Sequence, residues 1–151
     1  MHLKLVLSIS IDEPIQVVFD RFVDPSFDVR VDKNSRSVEM IDPADGGPLS
    51  KGSKWVLTLN APFGQTMTQK QTLSEYESPY RFALELEQKG FSGVEVETFE
   101  VGEDGAVQVT WNADWKLDWY VVPLYPLLRW KVKSGSKSWL ARMKKAIEAG
   151  E

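Results

Sequence analysis

Between Val107 and Trp119 the odd positions are Val107, Val109, Trp111, Ala113, Trp115, Leu117 and Trp119, and the even positions are Gln108, Thr110, Asn112, Asp114, Lys116 and Asp118. Successive side chains of a strand point to opposite faces, so this run reads as a strand with one wholly apolar face. A face of that kind has to be covered by another layer. The segment long enough to do so follows directly: beyond Pro126, Leu128, Val132, Ser136, Leu140, Met143 and Ile147 line one helical stripe to the C-terminus.

The rest of the chain supplies more strands. Leu3, Leu5, Leu7, Ile9 and Ile11 alternate with mostly polar neighbours, Val6 excepted, and mark a half-buried strand. Asp12-Glu13-Pro14 then reads as a helix start with Asp12 as cap, and Ile15, Val18, Phe19 and Phe22 give a short amphipathic helix ending near Asp24-Pro25. A second brief helical or irregular piece covers Pro25 to Val31. From about residue 35 short alternating segments are separated by turn clusters, which predicts an antiparallel meander of strands near 36–42, 53–60, 65–76, 79–88, 92–101 and 106–118. In 92–101, Val94 and Val96 claim one face while Phe99 and Val101 claim the other. That conflict predicts a bulge near Glu97 or Thr98 and leaves the facing of Glu95 and Glu97 open, with water on the convex side as the simpler place for Glu97.

Composition narrows the function. A chain of 151 residues, 42% hydrophobic and 26% charged, suits one globular domain spanning 1–151. The absence of cysteine removes disulfides, thiolate nucleophiles and cysteine-based metal sites. The single histidine, His2, is at the extreme N-terminus, so a histidine-based triad or metal site has nothing to build with. Gly46, Gly47 and Gly52 fit neither nucleotide-binding spacing and read as turn glycines. A net charge of −4 and a pI near 5.1 argue against nucleic acid as a partner. The N-terminal alternation is not a leader sequence, and the run Trp119 to Leu128 is too short, and too interrupted by Pro123 and Pro126, to span a bilayer. The expectation is a cytoplasmic protein with no metal and no cofactor.

The order of one strand, one or two short helices, six antiparallel strands and a long helix resembles the helix-grip fold of the START, polyketide cyclase/dehydrase and Bet v 1-like superfamily. The residues that carry the likeness are the junction from Ile11 to Asp20, Gly52 opening a strand, Leu73-Ser74-Glu75 before Pro79, and the Asp104-Gly105 turn before the tryptophan strand. The resemblance implies an α+β fold in which a seven-stranded curved antiparallel sheet wraps a long C-terminal helix around a ligand cavity. Members of the superfamily bind lipids, sterols, plant hormones or polyketides, and some catalyse cyclisation or dehydration. The plant allergens have a longer glycine-rich loop than Asp45-Gly46-Gly47 provides.

Trp111 and Trp115 have two readings, as packing under the long helix or as the lining of a pocket. Ser136, beside Gly135 on the inward stripe, favours the pocket, because small residues opposite large aromatics leave volume unfilled. The expected apolar lining is Trp55, Leu57, Met67, Leu84, Leu128 and Val132, with the two tryptophans and Ser136. Polar groups to orient a ligand are Gln69, Gln71, Tyr125 and Arg129. Glu97 is the one candidate acid or base, should it point inward. Three functions stay open: binding or transport of a small hydrophobic or amphipathic molecule, a cyclase or dehydratase using a cavity carboxylate, and a protein-interaction module. Cations from Arg129 to Lys145, next to Val121-Val122-Pro123-Leu124, add the expectation of a transient contact with an anionic membrane surface.

Overall fold

The alternating run becomes the last strand of one antiparallel sheet in a computed structural model that describes residues 1–151. The chain runs β1 (His2–Ile11), α1 (Ile15–Val23), α2 (Pro25–Val31), β2 (Ser35–Asp42), β3 (Lys54–Asn60), β4 (Thr66–Glu77), β5 (Arg81–Gln88), β6 (Phe91–Val101), β7 (Val107–Leu117) and α3 (Tyr125–Glu148). The strand order is β1-β7-β6-β5-β4-β3-β2, so the meander is sequential and β1 closes beside β7. This is the α+β helix-grip architecture, with α3 packed chiefly along β1 and its end reaching α1 and α2.

The apolar interior divides in two. One cluster joins Phe19 and Phe22 of α1, Phe27 of α2, Trp55, Phe82 and Phe99 of the sheet, and Leu140, Met143 and Ile147 of α3. The other joins Leu3, Leu5, Leu86, Phe91, Trp111 and Trp115, and is edged by Tyr125, Leu128 and Val132 from the first half of α3. Leu7, Leu84 and Trp139 touch both. The helix therefore buries its second half deeply, each large apolar side chain contributing about 1.5–3 kcal/mol, while its first half stays half-covered.

Several local expectations are corrected. Asp12 does not cap α1, whose N-cap is Pro14 with no side-chain bond; its amide instead donates to Glu148 at 2.9 Å and ties the first strand to the end of α3. The cap is one helix later, where Asp24 accepts from the Ser26 amide ahead of Pro25. There is no bulge in β6: its register with β7 is unbroken from Phe91↔Leu117 to Val101↔Val107. Bulges occur instead in β2, between Ser35 and Ser37 and between Met40 and Asp42, and in β4 between Leu73 and Glu75. Trp119 does not extend the apolar face of β7. The strand stops at Leu117, a turn closes from Val121 N–H to the Asp118 carbonyl, and Trp119 is 85% exposed.

Candidate functional site

With no bulge to shift its phase, β6 turns Phe91, Gly93, Glu95, Glu97 and Phe99 inward and Val94 and Val96 outward. Register fixes this: Glu95 lies between Leu84 and Ala113, and Glu97 between Phe82 and Trp111, all four on the concave face. Glu97 is therefore buried, at 4% exposure, and the reading that placed it in water on the convex side is overturned. Val94 and Val96, with Val6 of β1, line a shallow outer groove of about 210 Å3.

Gly93 makes the arrangement possible. A Cβ there would lie 2.4 Å from the Asp114 carbonyl oxygen and 2.8 Å from the Trp115 ring, a separation that side chains do not tolerate. The bare backbone lets the Trp115 indole lie across β6, stacked on Phe91 at 4.4 Å. From there its Nε1–H donates to one oxygen of Glu95 at 3.2 Å, while Trp111 donates to the other at 3.1 Å. Opposite, on α2, Asp28 accepts from the Trp139 indole at 2.6 Å. Glu97 has no such donor, and its Oε1 is buried without a hydrogen-bond partner.

These carboxyls meet at a cavity of about 50 Å3 where the two apolar clusters adjoin. Asp28, Glu95, Glu97 and Gln71 form its polar wall, and Phe22, Trp55, Leu84 and Trp139 supply most of the apolar one. At about 10–15 Å3 per water, the space suits roughly four waters or a group of that size. Burial shifts all three acids upward, since a charge is poorly solvated there. Asp28 is raised from 3.8 to about 7, by burial first and the charge of Asp32 second, with the Trp139 N–H pulling the other way. Glu95 is raised from 4.5 to about 7 by burial, against the pull of its two indole donors. Glu97 is held well above 4.5, by burial and then by the neighbouring Glu95 and Asp28. Asp28 and Glu95 keep a partial opening to solvent; Glu97 does not.

A second polar feature flanks the cavity. The Trp55 indole donates to Gln71 at 2.7 Å, Gln71 to Gln69 at 2.6 Å, and Gln69 to Gln88 at 2.5 Å. Each amide accepts from one neighbour and donates to the next, so the amides orient one another and fix the face Gln71 shows to the cavity.

Of the residues expected from sequence, Trp55, Gln71, Leu84 and Glu97 line this cavity. Trp111, Trp115 and Gln69 stand behind it, holding Glu95 and Gln71. Leu57 is packed into the first cluster, and Met67 receives a weak bond from Gln88 at 3.7 Å. Tyr125, Leu128 and Val132 edge the second cluster, Arg129 donates to the Lys4 carbonyl at 3.3 Å, Ser136 is half-buried, and Gly135 faces open space. None of these lines the cavity. The α3 residue that lines it is Trp139, one turn beyond Ser136 near where α3 meets α2. Sequence reasoning missed Asp28, Gly93 and Trp139. A buried aspartate on a seven-residue helix carries no local signal; Gly93, mid-strand and outside any turn, did carry one.

Residues 2–148 match the family described as "Polyketide cyclase / dehydrase and lipid transport". The chain belongs to that family. Solved structures with the same fold include a conserved protein from Geobacillus kaustophilus (14% identity, TM-score 0.77, 97% of this chain and 95% of that one). Another is a Thermus thermophilus protein (14%, TM-score 0.76, 98% and 99%), and a third a protein of unknown function from Staphylococcus aureus (10%, TM-score 0.75, 99% and 96%). At these identities the likeness is one of fold. No curated protein matches the sequence. The family is one of hydrophobic-ligand folds, and no helix of this member is long and apolar enough to cross a membrane.

Proposed function

We propose that this protein binds a small amphipathic molecule whose polar end sits among Asp28, Glu95 and Glu97. The observation that carries the reading is the unpartnered Oε1 of Glu97, a buried acceptor facing a cavity walled by Phe22, Trp55 and Trp139. The 50 Å3 cavity takes a head group, while drug-sized ligands fill about 300–1,000 Å3. A longer tail needs the half-covered first half of α3 to lift from β1, which its shallow burial favours. The test is mass spectrometry of small molecules extracted from protein purified without detergent, with titration of any compound found. A saturable one-to-one complex supports the reading; no saturable binding across a panel of amphipathic amines, alcohols, acids and ketones defeats it.

A second reading is favoured by the raised carboxyls: an acid or base near neutral pH is what cyclisation or dehydration of a bound ligand needs. Under it, Glu97→Gln abolishes turnover and retains binding.

Delivery at an anionic lipid surface fits the same role. Leu127, Trp130 and Lys131 share the outer face of α3, Trp130 and Leu127 being 68% and 62% exposed, with Leu124 one turn before and Lys133 and Lys137 flanking. Exposed aromatic and aliphatic side chains among lysines match an interface of acyl chains under anionic headgroups.

A further inference from the structure

Three acidic side chains that converge inside a protein need positive charge or protons, and this chain supplies no cation to them. Its ion pairs lie elsewhere, between Asp114 and both His2 and Lys4, Glu75 and Arg81, and Glu148 and Lys144. The arginines of the neighbouring helices, Arg21 and Arg30, sit over the ring of Phe27. What the chain does supply is donors. Three indole N–H groups, from Trp111, Trp115 and Trp139, point at Glu95 and Asp28, an arrangement that suits acceptor-only carboxylates. Glu97 Oε1 adds a buried acceptor with nothing bound to it.

We propose that the cavity takes the positively charged nitrogen of an amine-bearing small molecule, gripped by Asp28, Glu95 and Glu97. The inference rests on the binding reading above and adds the class of the ligand. An ammonium group brings N–H donors to acceptors that have room for them, and brings the missing charge. A neutral carbonyl or hydroxyl brings no charge to balance these acids when they ionise, and an anionic head group is repelled by them in that state. The carboxyl oxygens are not gathered into a metal-binding group, which favours an organic cation with bulk of its own. The cavity volume admits an ammonium and a methylene or two, with the remainder of the molecule directed outward.

The test compares butyl, hexyl and octyl compounds as amine, alcohol and carboxylate by isothermal titration near pH 7, on the wild type, Glu97→Gln and Asp28→Asn. Asparagine keeps an oxygen for the Trp139 N–H, so each variant removes an ionisable group with little change of shape. The expected result is that the amine binds at least tenfold more tightly than the alcohol of equal length, the carboxylate binds least, and each variant reduces the amine preference about tenfold. If the alcohol or carboxylate binds as well as the amine, the ligand class is wrong and the binding reading survives. An amine preference that neither variant changes puts the cation elsewhere and overturns the proposal. If no compound binds, the binding reading fails with it.

Discussion

Replacing Glu97 by glutamine removes a titratable group from the interior and keeps its shape. In the unfolded chain this carboxyl ionises near 4.5; folded, burial and the charges of Glu95 and Asp28 hold it well above that. The folded state thus binds the extra proton, and stability falls as pH rises from the unfolded value toward the folded one. Each pH unit of that window costs the fold about 1.4 kcal/mol relative to a side chain that never ionises. Glutamine escapes this cost. Near pH 7 the variant is expected to be more stable than wild type, and each 1 kcal/mol gained raises the midpoint of thermal unfolding of a domain of this size by roughly 2–4 °C. Near pH 4, where the carboxyl is protonated folded or unfolded, the gain vanishes. Thermal and urea unfolding at both pH values, followed by circular dichroism, read it directly. An equal effect at the two pH values, or a variant less stable than wild type near pH 7, refutes the claim that Glu97 is buried without a counter-charge.

Other outcomes follow from the same geometry. Gly93→Ala drives a methyl group into the Asp114 carbonyl and the Trp115 ring, and should destabilise the fold by about 3 kcal/mol in urea titration; a change below about 0.5 kcal/mol would mean Trp115 does not lie across β6. Trp139→Phe removes the one donor to Asp28, so the Asp28 carboxyl should titrate above about 7 in side-chain carbon NMR, and an unchanged or lower value counts against that hydrogen bond. On vesicles containing phosphatidylserine, neutralising Lys131, Lys133 and Lys137 should weaken binding about fivefold each, with no loss on neutral vesicles; equal binding to both vesicle types rules out the lipid surface.

The fold was legible because its largest features are periodic. The β7 alternation and the α3 stripe state which faces are buried, and the turn clusters delimit the meander to within a residue or two of each observed strand. The site was legible only in pieces. In β6 the local pattern is split, Val94 and Val96 claiming one face and Phe99 and Val101 the other, whereas the direction each side chain takes is set by pairing with β5 and β7, information that lies in other parts of the chain. Glu95 and Glu97 occupy positions that hydrophobicity alone would fill otherwise, and such a break in the pattern is expected where function overrides packing. Ser136 and Gly135 lie in the half-buried first half of α3, with open space beside Gly135, and the cavity walled by Asp28, Glu95 and Glu97 lies one turn on, at Trp139. Trp119 was misplaced because alternation continues past the end of the strand that gave it meaning.

The six tryptophans offer the most direct test of the central claim, that the polar seam between the two apolar clusters receives a ligand. Trp55, Trp111, Trp115 and Trp139 donate their indole N–H groups to seam residues, whereas Trp119 and Trp130 are 85% and 68% exposed with no such bond. Each indole gives its own proton–nitrogen NMR signal, so titration with hexylamine, hexanol and hexanoate maps where binding occurs. The account predicts saturable one-to-one shifts for the four seam indoles, largest for Trp139, with Trp119 and Trp130 unmoved. Shifts confined to Trp119 and Trp130, with the seam indoles still, would contradict it.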